Sequence, residues 1–348
     1  MMSSLRTLTA LIAALVAATA SAAEPAALDV GSGERLLVVA PHPDDESLGA
    51  GGLIQRVLAR DGSAQVVIMT AGDGYVEAVE HETGLLRPRP SQYIAYGERR
   101  LKEVQAAVRE LGGGRVRLDL LGFPDGGLRP LLHAHWQRIH PERSLTTGVL
   151  RPPYPEAEDQ HLRYDGADLR DKLVGVLREI QPTVVVFPEP LDKHPDHSAA
   201  GIFTMLALDD WAGAAAKHPA PMPRLLAYLI HWKGWPDWPD AWDQRTPPPY
   251  KPAPPLILPT SLPDRGLTRV VLPLTDEELD RKTAALACHQ SQQEVVPYLL
   301  ATFERRTEPF TVFTAAELRR AEHLIEQPTA GKPTPARSTP PPAGTVKF

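Results

Sequence analysis

Two short apolar runs end in clusters of His and Asp residues, and this arrangement constrains the fold more than any other feature. The first run, 36–40, leads into His-Pro-Asp-Asp at 42–45, and the second, 183–187, leads into His-Pro-Asp-His at 194–197. Short apolar runs bounded by turn residues predict buried strands. In an open α/β sheet, ligands bind outside the carboxyl ends of the strands. We therefore expect both clusters at one edge of a sheet, close to a common point.

Strand-like and helix-like segments alternate along most of the chain. We predict strands at 35–40, 64–70, 116–121, 183–187, 224–231 and 268–273, and helices at 51–60, 93–111, 168–179, 195–209 and 276–290. The segment 75–92 is predicted to be a loop. This alternation predicts an α/β fold, Rossmann-like, with a mostly parallel sheet and helices on both faces. We expect a single domain of residues 24–326 with long loop insertions at 128–164 and 233–260.

The composition fits one large globular core. Of the 348 residues, 43% are hydrophobic and 23% are charged, which is enough for one domain with elaborations. The formal net charge of −6 provides no basic surface for nucleic acid, so we expect no nucleic-acid partner. Nothing in the composition indicates the oligomeric state.

Both ends of the chain are predicted to lie outside this domain. Residues 1–23 have the pattern of a secretory signal peptide, with an apolar stretch at 8–18 that is too short to span a bilayer and an Ala-Ser-Ala cleavage site at 20–22. The sole cysteine, Cys288, cannot form an internal disulfide. We expect an exported protein, periplasmic or secreted, without a stable membrane anchor after cleavage. Residues 327–348 have the composition of a disordered Pro-rich tail.

The two His/Asp clusters together supply the ligands of a metal site. His42, Asp45 and His197 provide two imidazoles and one carboxylate, which leaves a coordination position open, as in catalytic zinc sites. Copper, or non-haem iron in an oxygenase, uses the same set of ligands. Either cluster alone has a plain alternative, a helix cap or a solvent-exposed loop, and their joint occurrence favours the metal. Asp44 is left over as a carboxylate beside the metal, which favours hydrolysis, because hydrolysis needs a general base.

Four motifs in order carry a resemblance to a known family. They are Pro-His-Pro-Asp-Asp-Glu at 41–46, Arg-Leu-Lys-Glu at 100–103, His-Pro-Asp-His at 194–197 and Lys-Thr-Ala-Ala-Leu-Ala-Cys-His-Gln-Ser-Gln at 282–292. With these motifs the chain resembles the PIG-L/LmbE-like zinc-dependent de-N-acetylases, which remove acetyl from N-acetylglucosamine-containing and related amides. The resemblance covers about residues 35–315. The insertions 128–164 and 233–260 depart from the family pattern, and we expect them to reshape the pocket.

The resemblance implies a role for each matching residue. His42, Asp45 and His197 would bind zinc, with ferrous iron or another divalent metal as the alternative. Asp44 would be the general base toward the attacking water. His194, in its protonated form, would donate a hydrogen bond to the tetrahedral oxyanion. Either Asp44 or His194 would protonate the leaving amine.

The remaining candidates support these residues. Asp196 would orient His194, or else satisfy backbone N–H groups at the start of a helix. Arg100 lies on the helix whose family counterpart contacts substrate, and the alternative for it is an ion pair with Glu98 or Glu103. Three residues at strand ends are also assigned to substrate binding, although turn formation or a structural role is the alternative for each: Asp73, Asp125 and His231.

The predicted function is that of a metal-dependent hydrolase that removes acetyl from a small-molecule or glycan substrate, one that contains an N-acetylated amino sugar. The first alternative is an amidase for another N-acyl or conjugate amide. The second is a non-catalytic carbohydrate-binding protein on the same fold, which would have no need of Asp44. The third is an iron oxygenase, which would require O₂ and a 2-oxo acid.

Overall fold

The computed structural model describes residues 25–214, 221–236 and 255–325. The predicted signal peptide and the predicted Pro-rich tail therefore lie outside the described residues. The strands are β1 Ala26–Ala27, β2 Arg35–Ala40, β3 Ser63–Thr70, β4 Val116–Phe123, β5 Val184–Pro188, β6 Arg224–Tyr228, β7 Thr268–Pro273 and β8 Thr307–Phe313. The helices are α1 Asp45–Ala59, α2 Val76–Thr83, α3 Pro90–Gly112, α4 Leu128–Leu131, α5 Gly166–Ile180, α6 Pro195–Ala214, α7 Asp276–Cys288, α8 Gln290–Gln293, α9 Pro297–Thr302, α10 Ala315–Leu318 and α11 Ala321–Ile325. Over this part of the chain, we find no helix with the length and apolar character needed to cross a membrane.

The strands form one sheet in the order β1-β7-β8-β6-β5-β2-β3-β4. From the central strand β2, the chain moves outwards to β3 and β4, then returns to the other side of β2 for β5 and β6, all in parallel. Only β8 runs antiparallel to its neighbours, β6 and β7, among the described strands. The mostly parallel α/β fold is therefore confirmed. The strand order reverses between β2 and β5, and such a reversal is where open sheets of this class bind ligands.

The central strand is buried on both faces. In β2, Leu36 and Val38 belong to one apolar core, whereas Leu37 and Val39 belong to the other. The first core contains side chains of α1, α3 and α7, and the second contains side chains of α5 and α6. Because both faces are covered, the strand sequences are continuously apolar rather than alternating. The prediction of helices on both faces is confirmed.

The helix after β2 begins six residues before the predicted start at residue 51, because Asp45 and Glu46 form its first turn. Glycines of α1 hid this start, since Gly has a low helix propensity. Close packing explains them, against the sheet at Gly49 and against neighbouring helices at Gly51. A Cβ atom on Gly49 would lie 2.5 Å from the ring of Tyr228. That ring is fixed because its hydroxyl donates to the carbonyl of Val39 at 3.1 Å.

The segment predicted as a loop, 75–92, contains the whole of α2 and the first residues of α3, so that prediction is wrong. Only Ala78 and Val79 of α2 are buried, which leaves almost no apolar period for a sequence analysis to detect. The strand β8 was also not predicted. Its sequence mixes Glu308 and Pro309 with apolar residues, although most of the strand is buried.

A buried ion pair forms hydrogen bonds with backbone groups of α1. The carboxylate of Glu308, on β8, accepts hydrogen bonds from the backbone N–H groups of Gly52 at 2.7 Å and Leu53 at 2.9 Å. The ammonium of Lys282, on α7, donates to the carbonyl of Leu48 at 2.9 Å and to Glu308 at 2.7 Å. Both charged side chains are almost fully buried. The helix that follows the first His/Asp cluster is thus held by residues near the other end of the described chain.

Candidate metal centre

The carboxyl ends of β2 and β5 bring the two His/Asp clusters together. His42 follows β2, while His194 and His197 lie at the start of α6, after β5. The ring centroids of His42 and His197 are 5.2 Å apart, and those of His42 and His194 are 4.9 Å apart. One ring nitrogen from each of these three residues lies within 4.8 Å of the other two. The parallel pairing of β2 and β5 therefore produces the proximity that the sequence predicted.

Asp45 lies between two of these rings. Its Oδ2 is 3.2 Å from Nδ1 of His42 and 3.2 Å from Nε2 of His197. The backbone N–H of His42 also donates to this oxygen at 2.9 Å. The three residues predicted as metal ligands thus meet around a single carboxylate oxygen.

The electrostatics of this group suit a cation. His197 is fully buried, and neither of its ring nitrogens has a hydrogen-bond partner among the described residues. Burial lowers the pKa of His197, but Asp45 and Asp192 outweigh it and raise the pKa to about 9. Burial raises the pKa of Asp45, but His197 and then His42 hold that pKa well below its usual range. Positive charge is therefore stabilised here, and two imidazoles with a carboxylate form a donor set that suits a divalent metal.

Asp44 has a backbone conformation that is rare for a residue with a side chain. It is the N-cap of α1, with φ of 132° and ψ of −29°. Non-glycine residues at such angles are strained, and surrounding contacts must hold them. Here the backbone N–H of Asp44 donates to Glu46 at 3.0 Å, and its carboxylate accepts from Arg100 at 3.1 Å. Asp44 is one of the residues that line the cavity.

Burial raises the pKa of the Asp44 carboxyl to about 6, against the opposing effect of Arg100. The neighbouring Asp45 raises it further. A carboxyl group with a pKa near 6 takes up and releases a proton close to neutral pH, which is what a general acid–base group requires.

Arg100 lines the same cavity but uses most of its hydrogen bonds on the protein itself. Its guanidinium donates to Asp44, to the carbonyl of Pro43 at 2.6 Å and to the carbonyl of Gly72 at 3.1 Å. The alternative for it, an ion pair with Glu98 or Glu103, is not found among the described residues, and Glu103 pairs with Arg99 at 3.1 Å. These contacts make Arg100 a support for the turn that carries Asp44, and its assignment to substrate binding remains a prediction.

His194 differs from the expectation of a protonated ring. Burial lowers the pKa of His194 well below its usual value, and the neighbouring His42 and His231 lower it further. The ring is therefore neutral at pH 7. Its Nδ1 accepts a hydrogen bond from the backbone N–H of Asp196 at 3.3 Å. A neutral ring with an acceptor at Nδ1 carries its proton on Nε2, so His194 still has one N–H to donate.

Asp196 does not orient His194 with its side chain, so that prediction is corrected. Its carboxylate accepts from the backbone N–H groups of Gly126 at 2.7 Å and Leu128 at 3.0 Å. Its Oδ2 also lies 3.5 Å from Nε2 of His42. The side chain reaches across to the loop after β4, and only the main chain of Asp196 contacts His194. The carboxylate of Asp196 thus follows the alternative reading, because it satisfies backbone N–H groups at the start of a helix, here α4, while its backbone N–H contacts His194.

Of the three strand-end candidates, two line the cavity and one does not. Asp125 lines the cavity, with its Oδ1 3.0 Å from Nε2 of His42. His231 is half-buried and also lines it. Asp73 is buried, does not line the cavity, and accepts a hydrogen bond from the hydroxyl of Tyr154. Burial raises the pKa of Asp73 to about 7. The substrate-binding roles of these residues remain predictions, and Asp73 is the one without access to the cavity.

Asp192 is a buried charged residue of the site that sequence reasoning missed. It lies 3.5 Å from Nδ1 of His197, on the side of the ring away from Asp45. Burial raises the pKa of Asp192, but His197 and His231 hold that pKa well below its usual range. The only sequence signal was its position two residues before the His-Pro-Asp-His motif.

The site opens into a cavity of about 830 Å³. One part of its lining is polar and includes the metal cluster, and another part is apolar, formed by Leu48, Ile230, Trp232, Trp235, Val296 and Leu299. The ammonium of Lys193 lies 4.3 Å from the ring centroid of Trp232. The insertion 128–164 is described in full and contributes no lining residue. Of the insertion 233–260, only 233–236 and 255–260 lie within the described residues, and this part contributes Lys233 and Trp235. The expectation that both insertions shape the pocket is thus supported for the second one only.

The chain is similar in sequence and in fold to several known proteins. The model of the PIG-L family, described as GlcNAc-PI de-N-acetylase, matches residues 37–208. A 1D-myo-inositol 2-acetamido-2-deoxy-alpha-D-glucopyranoside deacetylase of Rhodococcus jostii is 30% identical over 283 residues, which cover 76% of this chain and 84% of the relative. A deacetylase of the same name from Saccharopolyspora erythraea is 31% identical over 191 residues, 54% of this chain and 60% of the relative. The solved N,N'-diacetylchitobiose deacetylase of Pyrococcus horikoshii is 19% identical, with 81% of this chain and 85% of that chain covered and a TM-score of 0.46. On the family match and the Rhodococcus relative, the chain belongs to the PIG-L family of de-N-acetylases.

Proposed function

We propose that this protein is a metal-dependent N-deacetylase that hydrolyses the acetamide group of an amino-sugar-containing substrate. The observation that carries the proposal is the meeting of His42, His197 and Asp45 around one carboxylate oxygen, with Asp44 beside them in the same cavity. Metal ligands next to a carboxylate of raised pKa are the requirements of a metal-assisted amide hydrolysis.

A small sugar conjugate suits both the relatives and the cavity. The two curated relatives are named for a deacetylation of an N-acetylglucosamine unit joined to inositol. A volume of about 830 Å³ lies in the range of pockets that enclose small organic ligands, and it leaves room for more than the acetamido group. Trp232 and Trp235 provide flat apolar surfaces against which a sugar ring can pack.

His42, Asp45 and His197 would hold the metal, and zinc is the first candidate because two imidazoles and one carboxylate form a common catalytic zinc set. Ferrous iron is the alternative, because the same donor set binds it. When bound, such a metal polarises the amide carbonyl and lowers the pKa of a water molecule toward 7.

Asp44 moves the protons of the reaction. Its carboxylate takes a proton from the attacking water, whose oxygen forms a bond to the carbonyl carbon. The tetrahedral species then loses the C–N bond, and the proton on Asp44 passes to the leaving nitrogen, so that a free amine and acetic acid result, and the acid releases its remaining proton to solvent as acetate. The pKa of about 6 allows Asp44 to serve in both steps.

His194 stabilises the negative charge that develops on the carbonyl oxygen. As a neutral ring with its proton on Nε2, it donates a hydrogen bond without carrying a charge of its own. Arg100 keeps the Asp44 turn in place through its bonds to Asp44 and to the Pro43 carbonyl. Export is a further part of the proposal, and residues 1–23 alone support it.

The test is acetate release by the full chain, in metal-free form and after addition of zinc or ferrous iron. The substrate panel holds N-acetylglucosamine, its inositol glycoside, N,N'-diacetylchitobiose and several N-acetyl amino acids. Metal-dependent release from the sugars supports the proposal. Release from the amino acids alone favours the general amidase, and binding of the sugars without release favours a carbohydrate-binding protein.

A further inference from the structure

We propose that Asp192 is a positioning residue that fixes the tautomer and orientation of His197, so that Nε2 of this ring is the atom offered to the metal. The proposal rests on the proposed metal site and extends it to a residue with no assigned role.

The carboxylate of Asp192 is held rigidly by the main chain. One oxygen accepts from the backbone N–H of His194 at 2.8 Å, and the other accepts from the N–H groups of Ile230 and His231, each at 3.0 Å. These bonds join the connection after β5 to the chain that follows β6. The side chain is almost fully buried, so water does not compete for these positions. These backbone hydrogen bonds therefore fix the position of the Asp192 carboxylate without any contribution from His197.

The ring of His197 lies between two carboxylates. Its Nδ1 is 3.5 Å from Oδ2 of Asp192, and its Nε2 is 3.2 Å from Oδ2 of Asp45. A histidine that binds a metal is neutral, and a neutral imidazole donates from one nitrogen and offers a lone pair from the other. If the proton is on Nδ1 and faces Asp192, the lone pair of Nε2 points to the side where Asp45 and His42 meet. Metal-bound histidines commonly donate their other N–H to a carboxylate in this way.

Asp192 is better suited than Asp45 to receive this N–H. The oxygen of Asp45 that faces His197 is the same one that contacts His42, so it belongs to the cation site. Asp45 lies on the side of the cation site and Asp192 lies on the opposite side of the ring. With this arrangement, one orientation of the ring points its N–H at a carboxylate and its lone pair at the metal position. The mirrored arrangement would direct the N–H at the metal position and the lone pair at an anion.

Asp192 also contacts a second histidine. Its Oδ1 lies 3.5 Å from Nδ1 of His231, and the rings of His197 and His231 are perpendicular, with centroids 4.5 Å apart. Asp192, His197 and His231 therefore form a group that has the spacing of a metal site of its own. Three backbone N–H groups already occupy the Asp192 oxygens, and this favours an anchoring role over that of a metal ligand.

The experiment compares zinc affinity in the full chain with and without this carboxylate. Asp192→Asn is expected to weaken zinc binding about 10- to 100-fold, as measured by competition with a chromogenic chelator. Asp119→Asn is the matched control, because Asp119 is a buried Asp that does not line the cavity, and its zinc affinity should equal that of the wild type. Thermal unfolding with and without zinc separates a positioning role from a purely structural one. If Asp192 only anchors the loop, its replacement lowers the melting temperatures of the zinc-free and zinc-loaded proteins equally. Unchanged zinc affinity in Asp192→Asn would overturn the proposal.

A second measurement covers the case in which Asp192→Asn does not fold. The zinc-loaded wild type, labelled with ¹⁵N-histidine, should show a protonated Nδ1 and a metal-bound Nε2 for His197. Binding through Nδ1, or two zinc ions per chain with one on Asp192, would contradict the positioning role. These outcomes are independent of the proposed function, because zinc binding without acetate release rejects the deacetylase and leaves the tautomer test intact.

Discussion

The carboxylate of Asp44 lies 3.1 Å from the guanidinium of Arg100, and this contact ties the turn after β2 to the middle of α3. Both groups are buried, and Arg100 also binds the carbonyl of Pro43, the residue before Asp44. The proposed base is thus held at its side chain and at its backbone by one arginine. The contact makes Asp44 the first residue to test.

Asp44→Asn should keep the metal and lose turnover. The amide cannot take a proton from water, whereas the predicted ligands His42, Asp45 and His197 are unchanged. We expect kcat to fall about 10²- to 10⁴-fold, the usual contribution of a general base. Acetate release and metal content per chain are measured on the same sample. Activity within a few fold of the wild type would exclude Asp44 as the base.

His197→Ala should lower metal affinity more than any change around it, because it removes a ligand instead of a residue that supports one. The loss should exceed the roughly 10- to 100-fold effect that is typical of removing a ligand's partner. His161→Ala is the control, since His161 is exposed and does not line the cavity. Metal analysis of the gel-filtered proteins provides the comparison, and full occupancy in His197→Ala would reject the ligand assignment.

Lys282→Met should destabilise the fold strongly. It leaves the carboxylate of Glu308 buried beside α1 without its ammonium partner. Removal of one member of a buried ion pair costs about 3–5 kcal/mol of unfolding free energy. The adjacent Arg281→Gln is the control, because its ion pair with Glu277 is exposed and such pairs contribute about 0–1 kcal/mol. Urea unfolding of the two variants should differ accordingly, and equal midpoints would show that the pair does not hold α1.

Asp73→Asn should remove a pH dependence of stability. The pKa of Asp73 is raised from 3.8 to about 7, so between these values the folded chain holds a proton that the unfolded chain releases. The free energy of unfolding therefore falls as the pH rises through this window, by at most about 4 kcal/mol. Asn stays neutral and can still accept from Tyr154, so the variant should be the more stable protein at pH 8, with a smaller difference at pH 5.

The control for this pH effect is Asp280→Asn, a change at an exposed position on α7. It should give the same difference from the wild type at both pH values. Urea unfolding at pH 5 and pH 8 measures all three proteins. An Asp73→Asn protein that matches the wild type at both values would show that Asp73 is not buried as a neutral acid.

The sequence predicted the parts of the site that depend on strand order. Because β2 and β5 are parallel neighbours, residues that follow them had to meet, and His42 and His197 do so. What it could not predict was the partner of each charged side chain. Asp196 was placed near His194 from sequence distance, but its carboxylate reaches the loop after β4. Asp192 escaped notice because its partner Ile230 lies 38 residues later, just after the end of β6.

The ion pair of Lys282 and Glu308 that contacts α1 has a consequence for the order in which the chain is synthesised and folds. Every residue proposed to hold the metal or move a proton is synthesised before residue 198, yet the helix that begins at Asp45 is completed by Glu308 near the end of the described chain. A growing polypeptide therefore contains all the reactive groups long before it can arrange them. Hydrolytic activity should begin only when β8 joins the sheet. A chain that ends before Glu308 should therefore release no acetate, even though all of its motifs are present.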